Sequence, residues 1–366
     1  MIHIYKSYKY RLRLSKLQEQ RLFAWINTCR AVYNLALETK KEAYRVYGVT
    51  YTSFDLMKQT TELRKDFDWV KDVPSDTLHD VIKRMDSAYK KFFKGAGFPK
   101  WAKKGKYNSV GFKTLKLVSD GVFMTPKLGN VSIYKDRPTQ GEIRRATISV
   151  KNNKFYISVL TKQERKPFKA NNNQVGIDMG ISFFASLSNG QQIANPRFTK
   201  KNERLLRTRQ KSLSRKFKFS KSWYRAKLLV GKTQEKIANQ RLNFIHKTST
   251  AICQTNGFIA VEGLRVANMI KSNLSKSISD VSWAEFFRQI EYKSDWMGSE
   301  FVKVDPRYTS QTCSACGCID KMSRKSQSEF ECTECGHIAN ADLNASKNIL
   351  SLGLALCRER KAIAYA

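Results

Sequence analysis

CSACGCIDKMSRKSQSEFECTECGHIANADLNASKNIL, residues 313–350, combines two cysteine pairs with a lone acidic residue that follows them. Cys313 and Cys316 form the first C-x2-C pair, and Cys332 and Cys335 form the second after a spacer of 15 residues. Two such pairs are typical of a tetrahedral zinc site, although a single C-x-x-C is also a redox motif. Because four thiolates leave no coordination position open, we expect one structural zinc ion and place the chemistry elsewhere.

Three acidic residues lie in apolar surroundings, where a carboxylate is unfavourable without a partner. Asp178 lies within the strand-like VGIDMGI, Glu262 ends GFIAVEGL, and Asp342 opens the helix-like DLNASKNIL. A divalent cation is one of the few partners that suits several acids at once. Asp342 could instead be a helix N-cap, and Glu262 a polar strand end. The order strand-Asp, strand-Glu, helix-Asp favours a shared metal site.

The charge balance of the chain points to a polyanionic partner. Its 366 residues include 67 Lys and Arg against 31 Asp and Glu, which gives a net charge of +36. Nucleic acid is the usual polyanion for such a protein, and a ribosomal or chromatin-like structural protein would also fit. A membrane-surface protein fits less well, because the sequence shows neither a lipidation signal nor a basic amphipathic anchor.

The positive charge is concentrated between residues 197 and 247, which hold 17 Lys and Arg against two acids. Leucines on one side of this segment predict a basic helical hairpin, broken near KFKFSKSW. A solvated charged face is the ordinary alternative, but the scarcity of acids favours phosphate contact. We therefore expect the hairpin and a Lys-rich aromatic segment to bind nucleic acid through Lys211, Arg215, Lys216, Lys218 and Trp101.

The sequence also indicates where the protein works. The N-terminal MIHIYKSYKY lacks the apolar core of a signal peptide, and the apolar stretch ILSLGLALC is too short to span a membrane. Four further cysteines are scattered singly, which is typical of a reducing compartment. We expect a cytoplasmic protein, which would be associated with the nucleoid if its nucleic-acid partner is DNA.

The N-terminal half alternates between strand and helix patterns. Residues 1–14 alternate as a strand does, and Ser15 with Gln18 predicts a capping box that opens a long helix. A second helix is predicted with Ser75 as its N-cap. Residues 13–105 are therefore predicted to be helical.

Short strands follow the helical segment. GVFMT, VSIY, RRATISV and KFYISVL are predicted strands that join the N-terminal strand in one β-domain, which the helical domain interrupts. Residues 162–174 have the composition of a linker. A new domain begins at Val175 with two buried strands around a turn.

These motifs together resemble a known family. VGIDMG, AVEGL, SDVSWAEFFRQIEYK, YTSQTCSACG and ADLNASKNI occur in the order and spacing of TnpB proteins, the transposon-encoded RNA-guided nucleases related to type V CRISPR effectors. GFPKW and LHDVIKRMDSAYKKFF match the N-terminal half of the family more loosely. The resemblance covers nearly the whole chain.

The resemblance implies a multidomain α+β and α/β fold. A helical recognition domain (13–105) would be inserted in a β-rich wedge domain (1–12 and 106–170). A RuvC nuclease domain of the ribonuclease-H-like type would follow (171–304 and 340–366), with the basic hairpin as part of it. The four-cysteine zinc ribbon (305–339) would be inserted just ahead of the last helix.

The resemblance also implies a reaction and its partners. Asp178, Glu262 and Asp342 would hold two Mg²⁺ ions about 3.5–4 Å apart for phosphodiester hydrolysis. A guide RNA from the transposon end, bound by the basic hairpin and the segment at Trp101, would select double-stranded and single-stranded DNA beside a short flanking motif. The protein would act as a monomer or a weak dimer.

The sequence departs from the family pattern at two places. Asn340 and Ala341 stand where the family often has Asp-Arg, just before the third acid. His79 stands where the helix that reads the flanking motif often has Gln, so we expect it to contact DNA or to be an ordinary surface residue. The alternative functions are a nuclease-dead RNA-guided regulator and an accessory transposase. Retention of all three acids argues against the regulator, and the lack of a second catalytic constellation argues against the transposase.

Overall fold

The structure is a computed structural model that describes residues 3–165, 171–264, 269, 278 and 280–365, with the backbone alone for residues 361–365. Its contacts divide the chain into two compact units, Met1–Arg165 and Lys166–Ala366. The predicted linker lies partly outside the described residues, and its first residues, 162–164, complete a strand of the first unit.

The first unit begins with one strand and four helices. These are β1 (His3–Arg13), α1 (Lys16–Tyr47), α2 (Ser53–Asp66), α3 (Asp68–Lys71) and α4 (Ser75–Phe92). The predicted capping box is confirmed, because the Gln18 backbone N–H donates to Ser15 Oγ at 3.2 Å and Ser15 N–H donates to Gln18 Oε1 at 3.1 Å.

The predicted cap of α4 is wrong. Pro74, with extended backbone, occupies the N-cap position, and Ser75 is already the first helical residue. The fixed φ of proline suits this non-helical position, and its missing N–H costs the helix nothing there. The predicted apolar stripe of α4 is nevertheless buried, from Leu78 to Tyr89.

A seven-stranded antiparallel sheet completes the first unit. Its further strands are β2 (Ser109–Phe112), β3 (Lys116–Ser119), β4 (Val122–Thr125), β5 (Gly129–Tyr134), β6 (Glu142–Lys151) and β7 (Lys154–Glu164). The strand order is β2-β6-β7-β1-β5-β4-β3, so β1 lies between β7 and β5. The helices α1–α4 are thus inserted between two strands of one sheet, and helices and sheet share one core around Trp25, Leu78 and Phe112.

The second unit is built on a five-stranded mixed sheet. Its strands are β8 (Gln174–Met179), β9 (Phe183–Leu187), β10 (Gln192–Ala194), β11 (Phe258–Glu262) and β12 (Glu300–Val304), in the order β10-β9-β8-β11-β12. β8, β11 and β12 are parallel, whereas β9 and β10 pair antiparallel beside them. Its helices are α5 (Phe198–Ser214), α6 (Lys221–Thr255), α7 (Trp283–Met297) and α8 (Ala341–Tyr365).

Two glycines allow α8 to lie directly on the sheet. A Cβ on Gly176 of β8 would stand 2.1 Å from the Ser346 carbonyl oxygen and 2.6 Å from the Leu350 nitrogen. A Cβ on Gly353 of α8 would stand 2.6 Å from the Ala260 Cβ of β11. The helix that begins beside Asp342 is therefore held against the two strands that carry Asp178 and Glu262.

We expect Gly176→Ala to destabilise the second unit by about 1–3 kcal/mol or more, because the added methyl group meets backbone atoms that cannot rotate away. Chemical denaturation of the purified protein measures this change. Gly97→Ala is the control, since a Cβ there meets nothing within 4 Å. Equal stability of the two variants would contradict the close approach of α8.

The segment between β12 and α8 forms a small ribbon. It contains the strands β13 (Glu329–Glu331) and β14 (Ile338–Asn340) and a short 3₁₀ helix (Lys321–Ser323). Phe330 is fully buried beside Cys313 and Cys332 and is its main apolar side chain. Within the described part of the chain, every helix is too short or too polar to cross a membrane.

Candidate metal centres and nucleic-acid surfaces

Two of the three predicted acids lie at one edge of the mixed sheet. β8 and β11 are parallel neighbours in which Ile177 is paired with Val261. Asp178 and Glu262 follow this pair directly, so both carboxylates lie at the carboxyl ends of adjacent strands. This edge is where parallel sheets commonly place functional side chains.

Asp342 reaches the same edge from the first turn of α8. The Asn340 side-chain oxygen accepts hydrogen bonds from the N–H groups of Asp342 and Leu343 at 3.1 and 3.2 Å. Asn340 therefore acts as the helix cap, and the alternative of Asp342 as a plain N-cap is wrong. The Asp342 carboxylate is left to face the sheet edge.

Electrostatic interactions link Asp178 to both of the other acids. Burial, with the nearby charges of Glu262 and Asp342, raises the pKa of Asp178 to about 7. Burial also raises the pKa values of Glu262 and Asp342 above their usual range. Carboxylates that are buried and repel each other favour a cation in their midst.

One arginine faces all three acids, and the sequence analysis missed it. Arg324 Nη2 of the ribbon lies 3.5 Å from Asp342 Oδ1. Its positive charge lowers the pKa values of Asp178, Glu262 and Asp342, against the larger effect of burial. Nothing in the local pattern SRKSQS distinguishes Arg324 from its exposed neighbour Lys325.

A threonine was missed as well. Thr309 Oγ1 donates a hydrogen bond to Glu262 Oε1 at 2.5 Å, and this bond opposes the effect of burial on the pKa of Glu262. Thr309 belongs to the motif YTSQTCSACG, so the motif marked the right segment without indicating this contact.

The four predicted zinc ligands converge at the base of the ribbon. Their sulfur atoms all lie within 4.8 Å of one another, with Cys313 and Cys335 3.7 Å apart and Cys316 and Cys332 3.6 Å apart. Zinc–sulfur bonds of about 2.3 Å in a tetrahedron place sulfur atoms about 3.8 Å apart, so the set fits zinc. Backbone N–H groups, that of Cys335 first, lower the pKa of the Cys332 thiol to about 6 and so favour the thiolate.

Two asparagines tie α8 to the entry of the ribbon. Asn344 accepts from Ser314 N–H at 2.8 Å and donates to the Thr312 carbonyl at 2.7 Å. Asn348 donates to the carbonyls of Thr309 and Thr312. Both amides are buried, and their hydrogen bonds hold α8 against the ribbon.

The predicted basic hairpin is confirmed as α5 and α6. Arg209 Nη1 donates to the Leu229 carbonyl at 3.1 Å and to Thr233 Oγ1 at 2.5 Å, which holds the two helices together. The four predicted RNA-binding residues lie at or beyond the end of α5, and all are exposed: Lys211, Arg215, Lys216 and Lys218. The expected apolar side is only partly buried, because Leu205 and Leu229 are exposed whereas Ile237 is buried.

The other two predicted contact residues lie in the first unit. His79 of α4 is half-buried in a groove of about 710 Å³ that also holds Phe54 and Met57 of α2 and the cations Lys58, Lys83, Lys90 and Lys113. Burial and the nearby lysines lower the pKa of His79, so it is neutral at physiological pH. Trp101 is 48% exposed in the segment after α4.

Comparison with known families gives three matches along the chain. Residues 156–273 match the model described as probable transposase, and residues 283–349 match the Cas12f1-like TNB domain. Residues 1–48 match a model described as a helix-turn-helix domain. In the structure, residues 3–47 form a strand and one continuous long helix instead of two helices joined by a turn.

Two relatives are similar over almost the whole chain, and a third is similar over little more than half of it. A putative RNA-guided DNA endonuclease, InsQ of Escherichia coli strain K12, is 35% identical over 96% of this chain and 93% of its own. A putative RNA-guided DNA endonuclease of Streptomyces pristinaespiralis is 28% identical over 97% of this chain and 91% of its own. The CRISPR-associated endodeoxyribonuclease Cas12f1 of Sulfoacidibacillus thermotolerans is 28% identical over 58% of this chain and 55% of its own.

A solved structure shares the fold. The cryo-EM structure of a Cas12f1–sgRNA–target DNA complex has a TM-score of 0.61 and 15% identity, and it covers 95% of this chain and 98% of that one. Fold and matched models together define the class, that of the Cas12f1-like and transposon-encoded proteins. Within that class, the chain belongs to the TnpB family.

Proposed function

We propose that this protein is an RNA-guided DNA endonuclease that hydrolyses phosphodiester bonds at the cluster of Asp178, Glu262 and Asp342. The observation that carries the proposal is that three half-buried carboxylates, from β8, β11 and α8, lie at one edge of the sheet, where burial and the charges of Glu262 and Asp342 raise the pKa of Asp178 to about 7. The names of the relatives support the same activity. The mixed sheet is then a RuvC domain of the ribonuclease-H-like type.

Magnesium fits this site by the chemistry of its donors. Carboxylate oxygens are the ligands that Mg²⁺ prefers, and the repulsion among these three acids would be relieved by cations. Asp178, Glu262 and Asp342 are therefore the proposed ligands of two Mg²⁺ ions. When bound, Mg²⁺ stabilises charge on phosphoryl oxygens and lowers the pKa of water.

The residues around the acids have supporting roles in this proposal. Thr309 holds Glu262 in one orientation through its hydroxyl group. Arg324 places a guanidinium group beside Asp342, where it can donate to the oxygens of a phosphate at the acidic edge. The proposed site thus combines carboxylates that would bind Mg²⁺ with a guanidinium group that would bind the phosphate of the substrate.

The remaining parts of the chain are assigned by the family resemblance. The first unit corresponds to the wedge and recognition domains and holds the guide RNA and the flanking DNA, with His79 and Trp101 among the contacts. The four cysteines hold one structural zinc ion. The cytoplasmic location and the choice between monomer and weak dimer stay predictions.

We expect Arg324→Ala to slow DNA cleavage by about 10²- to 10³-fold, because a charged donor aimed at a reacting phosphate is lost. Arg324→Lys should recover only part of the activity, since it keeps the charge but loses the two-pronged donor. Cleavage of a matched plasmid under single-turnover conditions measures both. The control is Lys325→Ala, which removes the same charge from the next residue of the ribbon, where Lys325 faces Glu331. Equal rates for the two alanine variants would remove Arg324 from the site.

We expect that neutralising Lys211, Arg215, Lys216 and Lys218 to glutamine weakens RNA binding and lowers its salt dependence. Each lost phosphate contact reduces the slope of log K against log salt by roughly 0.7–0.9. Titrations at several salt concentrations without Mg²⁺ measure the slope. An unchanged slope would assign these four charges to solvent.

One assay tests the proposed function as a whole. The protein is purified with its bound RNA, the RNA is sequenced, and the complex is given a plasmid library that carries the guide match beside random flanking sequences. Cleavage of a subset of the library with Mg²⁺ is the expected result. Binding without cleavage of any member would favour the nuclease-dead regulator, and joining of transposon ends would favour the transposase.

A further inference from the structure

The loop between α5 and α6 exposes two phenylalanines between lysines. We call residues 215–225 the hairpin tip; its sequence is RKFKFSKSWYR. Phe217 is 86% exposed and Phe219 is 73% exposed, which is unusual for large apolar side chains. Lys216, Lys218 and Lys221 alternate with them and are exposed as well.

The backbone of the hairpin tip holds these side chains outward. Phe219 has φ near 70°, a left-handed conformation that a non-glycine residue adopts only when its surroundings impose it. The next residue, Ser220, caps α6 by accepting from Trp223 N–H at 3.1 Å, and its own N–H donates to the Phe217 carbonyl at 3.2 Å. The exposed rings therefore belong to an ordered turn.

Further aromatic rings extend this surface onto α6. The Phe219 ring lies 5.6 Å from that of Trp223, and Trp223 lies 5.1 Å from Tyr224, which is 53% exposed. Lys227 lies over the Trp223 ring at 4.8 Å. The Trp223 ring thus packs between the more exposed rings of Phe219 and Tyr224.

The positive charge of the hairpin tip indicates that its partner is negatively charged. No acidic residue occurs between Glu203 and Glu235 in the sequence, so no carboxylate of this segment competes for the lysines. No residue of α5 is buried, so the helix that leads into the tip adds nothing to a hydrophobic core. Flat rings interleaved with cations match a chain of unpaired bases linked by phosphates.

We propose that the hairpin tip binds a single-stranded stretch of nucleic acid, with unpaired bases stacked on Phe217 and Phe219 and the intervening lysines on the phosphates. A duplex does not fit, because its base faces are already covered by neighbouring bases. The inference rests on the proposed function only for the sources of such a strand, unpaired guide RNA or displaced DNA. It adds that the rings, and not the charges alone, contribute to binding.

The test uses the full chain, stripped of copurified RNA and kept free of Mg²⁺ so that cleavage plays no part. Labelled oligo(rU) and oligo(dT) of about 12 nucleotides are compared with a duplex and with an abasic strand of equal length. Phe217→Ala with Phe219→Ala should weaken binding of one or both base-containing strands by about tenfold or more. Binding of the abasic strand and of the duplex should change less than about twofold. The oligomer that loses more affinity identifies RNA or DNA as the source of the strand.

Phe217→Tyr with Phe219→Tyr is the matched control, because it keeps both rings and should bind like the wild type. Equal losses on abasic and base-containing strands, or no loss at all, would overturn the proposal. So would a double alanine variant that keeps its oligonucleotide affinity but loses binding to anionic phospholipid vesicles, since the tip would then be a membrane contact. Loss of base-dependent binding in a protein that never cleaves DNA would leave this inference standing and overturn the endonuclease instead.

Discussion

Asp178→Ala is expected to lower the rate of DNA cleavage by roughly 10³-fold or more while the protein still binds its RNA and a matched target. The Asp178 carboxylate interacts electrostatically with both Glu262 and Asp342, so its loss removes a proposed metal ligand that the other two cannot replace. The double variant Asp178→Ala, Glu262→Ala should be little slower, because residues that act as one unit lose their function together. Single-turnover cleavage and equilibrium binding, measured side by side, separate the two effects.

Asp305→Ala is the control for this series. Asp305 follows β12 at the same edge of the sheet, but it is exposed and pairs with Arg307. We expect the Asp305→Ala variant to cleave DNA at close to the wild-type rate. Activity should require Mg²⁺ or Mn²⁺, disappear with a chelator and not be supported by zinc alone. Cleavage that persists in Asp342→Ala would show that the third ligand has been placed wrongly.

Stability gives this series a readout independent of cleavage. The pKa of Asp178 is raised to about 7 in the folded protein. Between about pH 4 and pH 7, the native state therefore holds a proton on this carboxyl group that the unfolded state has lost. This group therefore lowers the free energy of unfolding as the pH rises from about 4 to about 7 in chelator. Asp178→Asn should lose that pH dependence and be the more stable protein at pH 8 without metal.

The double variant Cys332→Ser, Cys335→Ser is expected to lose its zinc and to unfold the ribbon. Structural zinc sites in small domains are worth about 10–16 kcal/mol of apparent binding energy, which is also folding energy. The ribbon supplies Arg324, and its entry is hydrogen-bonded to Asn344 and Asn348 of α8. Cleavage should therefore fall at least as far as in Arg324→Ala, although the three acids are intact.

Cys318→Ser is the control, because Cys318 lies in the same ribbon outside the four-sulfur cluster. It should keep one zinc ion per chain and wild-type thermal stability. Metal analysis and thermal unfolding measure both quantities. Full zinc retention in the double variant would show that the four-sulfur cluster is not the zinc site.

Local patterns predicted the parts of the molecule that depend on neighbours in sequence. The four cysteines were found because each pair is separated by two residues, and the capping box because Ser15 and Gln18 are three apart. The strands β2 and β3 had no prediction because they are short, and α2 had no bounds of its own within residues 13–105, which were predicted to be helical. The error at Ser75 was a shift of one position, which sequence periodicity cannot resolve next to Pro74.

The sequence by itself determined which acids and cysteines are candidate metal ligands, the basic hairpin and the family, because these depend on residue chemistry and short spacings. Only the tertiary structure decided that Asn340 caps α8 and leaves the Asp342 carboxylate at the sheet edge, and that Arg324 faces all three acids. Gly176 and Ser346 are likewise far apart in sequence, yet their contact places α8 on β8. Burial and charge–charge distances arise between segments remote in sequence, so the pKa of Asp178 follows from the fold and not from VGIDMGI alone.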